Sequence, residues 1–163
     1  MNAPGKLVAV ELRYALEDLY ARYVKCLDDA AFDAWPEFFT EDCRYTIRSR
    51  ENHDRGYPLA LLDFESRGML KDRVFGITQT LYHQPYHQRH VVGPLLVCPG
   101  DDGSITVEAS YAVFRTKQNE LSEVFNVGRY VDVVVEDAGA LKFREKRCIY
   151  DGALIPNSLI YPI

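Results

Sequence analysis

The chain has 163 residues, 47% hydrophobic and 26% charged, with 24 acidic against 19 basic side chains and a net charge of −5. These globular proportions exclude a disordered, fibrous or membrane-spanning protein, and a negative chain with scattered basic residues excludes a nucleic-acid-binding surface. The length fits one domain over residues 1–163, and Met1–Lys6 leads into an amphipathic segment without an apolar signal core, so the cytoplasm is the expected location.

From Val8 to Leu27 apolar residues recur at spacings of three and four, which predicts a long helix over about 7–28. Asp28-Asp29 ends it and opens a shorter helix over about 29–39, with Pro36 tolerated only in a first turn. Arg44–Arg50 alternates like a half-buried strand, Glu51–Pro58 reads as a loop and Leu59–Phe64 as a short strand. Ser66 is placed to cap a third helix over about 66–78. Four β segments follow, His87–Cys98, Ile105–Gln118, Glu123–Glu136 and Ala140–Tyr150, so the sheet lies mainly within 87–150. Tight turns between them require antiparallel pairing. The expected fold is α+β: three N-terminal helices on the concave side of a long, strongly twisted, mostly antiparallel sheet, a cone with a cavity. The tail, 151–163, carries no charged side chain after Asp151. It must be covered, either by the chain's own helices or by a neighbouring subunit.

His83, His87 and His90 form the run H-x-x-x-H-x-x-H, which on a helix would present imidazoles to a metal. Pro85 breaks the first gap and Val91-Val92 continues as strand, so these histidines read instead as hydrogen-bonding groups at a strand entrance or a subunit interface. Acid–base work in a cavity would draw on Asp29, Asp33, Asp42, His87 or Glu145, and nothing singles one out. Glu145 and Arg147 stand on one strand face, as a cavity ion pair or a solvated pair. Cys26, Cys43, Cys98 and Cys148 are far apart and read as buried thiols. No nucleophile elbow, phosphate loop or dinucleotide fingerprint occurs.

The runs Trp35–Tyr45, Arg50–Gly56, Asp72-Arg73-Val74, Arg89–Gly93, Phe143–Cys148 and Leu154–Leu159 together resemble the small (beta) subunit of Rieske-type aromatic ring-hydroxylating oxygenases. Within that family the chain is similar to the small subunits of the salicylate 5-hydroxylase, anthranilate and terephthalate types. The resemblance implies a cone-shaped fold like nuclear transport factor 2. It also implies a mixed hexamer of three large (alpha) and three small subunits that hydroxylates an aromatic acid. The large subunit would carry the Rieske [2Fe-2S] cluster and a mononuclear Fe(II), with NAD(P)H used by a reductase, in some systems through a ferredoxin. None of the four cysteines here is followed by His at the spacing such a cluster needs, so the chain is expected to bind no cofactor or metal, to carry no catalytic residue and to act structurally. The candidate subunit interface is His87, His90, Leu159, Ile160, Tyr161 and Ile163. The alternative is a stand-alone isomerase or dehydratase of the ketosteroid isomerase or scytalone dehydratase kind, or a small-molecule binding protein of the same fold.

Overall fold

The computed structural model describes residues 8–152, 154 and 159–163. Helix α1, Val10–Asp28, buries Leu16, Leu19, Tyr20, Tyr23 and Leu27 along one face, the three-and-four spacing of the sequence turned into packing. The second helix expected over 29–39 is a 3-10 helix, Phe32–Phe38, rather than an α-helix. Pro36 lies too far along that segment for an α-helix, where it would remove an N–H and crowd the preceding turn. A 3-10 turn instead aligns residues three apart, and it sends Phe32 and Trp35 into the core together.

Strand β1, Phe39–Ser49, follows directly and is longer than the alternation from Arg44 had suggested. Ser49 then caps α2, Arg50–Asp54, its hydroxyl accepting from the Asn52 amide at 3.2 Å, so part of the expected loop is helical. After β2, Leu62–Phe64, Ser66 caps α3, Arg67–Phe75, accepting from the Met69 amide at 3.3 Å. A π-helical turn, Gly76–Thr80, ends this helical run. The remaining strands are β3 (Tyr86–Val92), β4 (Leu96–Pro99), β5 (Ile105–Lys117), β6 (Glu123–Asp137) and β7 (Ala140–Tyr150). The segment His87–Cys98 is thus two strands, both pairing with β5 and broken around Pro94.

The sheet runs β2-β1-β7-β6-β5-β3, with β4 also on β5. Strands β3, β5, β6 and β7 pair antiparallel as the short turns require, whereas β1 joins β7 in parallel. Two irregularities set which side chains face inward. The register slips between Val113 and Phe114 on β5, and between Val133 and Val134 on β6. The second slip allows Phe143 and Lys146, three apart on β7, both to face the helices.

Helices α1 and α3 cover one face of the sheet, α1 against β3 and β7 and α3 against β1. Trp35, Phe39, Tyr45 and Phe143 are fully buried between them and meet edge-on or tilted, with ring centroids 5.1 to 6.0 Å apart. The cone expected from the sequence is present; around these rings its interior is packed, and a groove of about 260 Å³ lies between α1 and Val92–Leu95. Among the described residues no helix is long and apolar enough to cross a membrane.

Candidate functional site

Strand alternation separates the three histidines. On β3, His87 and Arg89 point to the outer face, and Gln88 and His90 point toward the helices. His90 is sealed by the end of α1: its Nδ1 lies 2.6 Å from Asp28 Oδ1, and its backbone amide donates to the same carboxylate at 3.1 and 3.2 Å. Arg89 reaches the other oxygen of Asp28 at 3.5 Å. His83 stands apart in the preceding loop, its Nε2 2.8 Å from the Tyr161 hydroxyl. The three rings do not converge, and this is no ligand set.

The cone interior holds a polar group that the sequence reading passed over. Asp132 of β6 and Lys146 of β7 are register partners, both fully buried, with Nζ donating to Oδ2 at 2.8 Å. The Tyr20 hydroxyl donates to the same oxygen, and the Arg147 amide donates to Oδ1 at 3.2 Å. Aromatic rings enclose the ammonium, with Nζ 3.7 Å from the Tyr130 centroid and 4.5 to 4.8 Å from those of Phe143, Tyr23 and Tyr20. Burial pushes the Asp132 carboxyl above its ordinary range, and Lys146 pulls it back. The alternation Tyr130, Asp132, Val134 on a strand with buried neighbours was the signal available for an inward carboxylate.

The segment 159–163 closes this interior. Ile163 is fully buried; its backbone oxygen accepts from the hydroxyls of Tyr23 at 3.0 Å and Tyr45 at 2.9 Å, while its amide donates to Tyr45 at 3.0 Å. Gln88 Nε2 donates to the Pro162 carbonyl at 3.0 Å, and Arg73 donates to those of Leu159 and Ile160 at 3.0 and 2.7 Å. Tyr161 packs on Tyr86 and Phe32, with centroids 4.3 and 4.7 Å away. Of the six residues expected at a subunit interface, His90, Tyr161 and Ile163 therefore face the chain's own interior. His87 is exposed, and Leu159 and Ile160 are half-buried.

The acid–base candidates are scattered. Asp29, Asp33 and Asp42 are exposed, Asp29 paired with Lys25 at 2.5 Å. Glu145 and Arg147 lie 3.8 Å apart on the outer face of the sheet, half-exposed, so they are not a cavity pair. Three cysteines are buried as expected, and Cys98 is exposed on β4. Burial raises the thiols of Cys26 and Cys43 to about 11 and that of Cys148 to about 12, so all three stay protonated at neutral pH. Among the described residues no three Cys, His, Asp or Glu side chains converge, so these separated thiols do not form the ligand set that holds an iron–sulfur cluster.

The outer face of the sheet is uneven. Around β3, β5 and β6 the register gathers Val91, Ala112, Phe114, Val124 and Val127, of which Val91, Val124 and Val127 are 55%, 58% and 42% exposed. An antiparallel sheet facing water would carry polar residues at these positions.

A family model described as the ring-hydroxylating beta subunit matches residues 22–157. The chain is 36% identical, over 145 residues, to the anthranilate 1,2-dioxygenase small subunit of Burkholderia cepacia, covering 89% of this chain and 90% of that one. It is 28% identical, over 143 residues, to subunit beta 2 of the terephthalate 1,2-dioxygenase terminal oxygenase component of a Comamonas species, covering 88% and 93%. Among solved structures, a chain described as the beta subunit of an aromatic-ring-hydroxylating dioxygenase from Novosphingobium aromaticivorans superposes with a TM-score of 0.85 at 34% identity, covering 94% and 97%.

Proposed function

The chain belongs to the ring-hydroxylating beta-subunit family, and from that premise we propose that it is the structural subunit of a multicomponent oxygenase that hydroxylates an aromatic acid. It holds large catalytic subunits in a mixed hexamer of three large and three small chains. The large subunit carries the Rieske cluster and mononuclear iron, and NAD(P)H feeds electrons through a reductase. The aromatic acid as substrate class rests on the relatives named for anthranilate and terephthalate.

The observation that carries the structural role is the packed interior around Asp132. A stand-alone isomerase or dehydratase needs an acid or base that a substrate can reach. The inward carboxylates here are both shielded from water: Asp132 is fully buried, capped by Lys146 and Tyr20, and Asp28 is closed off by His90. The docking surface for the large subunit is the apolar outer face around Val91, Phe114, Val124 and Val127, with His87 at its margin. Burial of such side chains in an interface core contributes about 1.5–3 kcal/mol for each residue fully covered.

Co-expression with a large subunit tests this. Val124→Asp and Val127→Asp change side chains that point away from the core, so each variant is expected to fold, as judged by circular dichroism, and to lose co-purification on size exclusion. Full co-assembly of both variants would move the interface elsewhere.

A further inference from the structure

We propose that the outer face of the sheet, where β1, β7 and β6 lie side by side beneath α2, is a binding site for a carboxylate. Arg48 of β1 and Arg129 of β6 both register with Ile149 of β7 and so flank it, and Arg147 stands one row along, beside Thr46. Helix α2 packs on β1 and β7 and brings His53 over the same place. The result is a groove of about 310 Å³ floored by the buried Thr46 and Ile149.

The cations in and beside this groove are incompletely matched: Arg44, Arg48 and Arg147 line it, and Arg129 stands next to it across Ile149. Arg44, at one end, is held by Asp63 through two hydrogen bonds of 3.1 and 2.9 Å. Arg129 has Asp54 only at 3.8 Å, and Arg147 has Glu145 only at 3.8 Å. Arg48 has no acidic partner among the described residues and reaches only the Pro58 carbonyl, at 3.4 Å. The Nε–H groups of Arg48 and Arg129 are shielded from water and have no acceptor among the described residues. A shielded donor without a partner is destabilising, and a guanidinium meets a carboxylate with paired, charge-assisted bonds.

Charge decides between anions. Among the charges that line the groove, Arg44 is offset by Asp63 and, at 3.8 Å, by Glu65, while Arg48 and Arg147 set against Glu145 leave one positive charge, which a monoanionic carboxylate meets and a dianionic phosphate exceeds. The same field acts on His53: burial, then Arg129, with Arg147 and Arg48 adding, lowers its imidazole below the ordinary value against the opposing pull of Asp54. His53 is therefore a built-in reporter, because an anion in the groove must raise it.

Two sources offer this chemistry, a free aromatic carboxylate or an Asp or Glu side chain of the large subunit; the second rests on the subunit reading above. The His53 titration is followed by NMR in the purified chain, with sodium benzoate against sodium chloride at equal ionic strength. Saturable elevation of the His53 midpoint by about half a pH unit or more, lost in Arg48→Gln and retained in part in Arg48→Lys, identifies a free carboxylate. No response to benzoate, with the same elevation appearing on assembly with the large subunit and a loss of at least tenfold in assembly affinity for Arg48→Gln, identifies the partner's side chain. Benzoate binding survives even if the chain assembles with no large subunit, so the two readings fail separately. A His53 midpoint indifferent to both benzoate and assembly overturns the site.

Discussion

Lys146 and Asp132 face each other across β6 and β7, both sealed from water. A buried pair gains little over well-packed apolar residues, but losing one partner strands the other charge, at about 3–5 kcal/mol. Asp132→Asn is expected to destabilise by that order in denaturant unfolding. Lys146→Met is more informative through pH. Burial raises the Asp132 carboxyl and Lys146 opposes that rise, so removing Lys146 raises it further. A group raised in the folded state contributes stability below its unfolded value and loses it as pH climbs through the folded one. The deficit of Lys146→Met relative to the parent should therefore be larger at pH 8 than at pH 5; an equal deficit at both would place the charge elsewhere. Gly128 makes a second residue-scale case. A Cβ there would overlap the Ile149 carbonyl and come within 2.8 Å of Tyr150 Cα, a clash with backbone rather than with a side chain that can turn away. Gly128→Ala is expected to cost about 1–3 kcal/mol, and an unchanged unfolding midpoint would show that β6 and β7 can separate there. Neither residue stood out in the sequence. A strand glycine reads as a weak point, and an inward Asp is recognisable only once the strand's buried face is known.

Among the elements, the long strands and α1 were legible because periodicities of two and 3.6 are written in consecutive residues. The parallel pairing of β1 with β7 was not, since nothing near Phe39–Ser49 records a partner about a hundred residues on. The segment 29–39 is helical as expected but of the 3-10 type, because an apolar spacing of three suits an α-helix and a 3-10 helix alike and Pro36 decides between them. An apolar tail needs a cover, from its own chain or from a neighbour, and the described part, 159–163, packs on its own chain. Deleting Leu159–Ile163 removes the buried Tyr161 and Ile163 and the backbone bonds to Arg73, Gln88, Tyr23 and Tyr45. By apolar burial alone the melting temperature should fall by about 10 °C or more. A truncated chain that melts like the parent and merely fails to assemble would make the tail an interface element instead.

At the scale of the whole molecule, two faces of one sheet divide the work. The helix-covered face is spent on the core, down to the charged pair buried within it. The outer face carries the apolar region around Val124 and Val127 and, further across, the arginine groove around Arg48. That division was only partly legible. The family resemblance pointed to a partner, and His87 does lie on the outer face, but His90 belongs to α1 through Asp28. A spacing of three on a strand separates two side chains that the same spacing on a helix would bring together. The most direct measurement of the structural role is native mass spectrometry of the chain co-expressed with a large subunit, with iron content and turnover of an aromatic acid determined for the complex and for each chain alone. A three-plus-three complex should account for the activity, with all iron on the large subunit and none on the small one. Stoichiometric iron or turnover in the small chain alone, or a large subunit that assembles and works at full rate without it, would contradict the account.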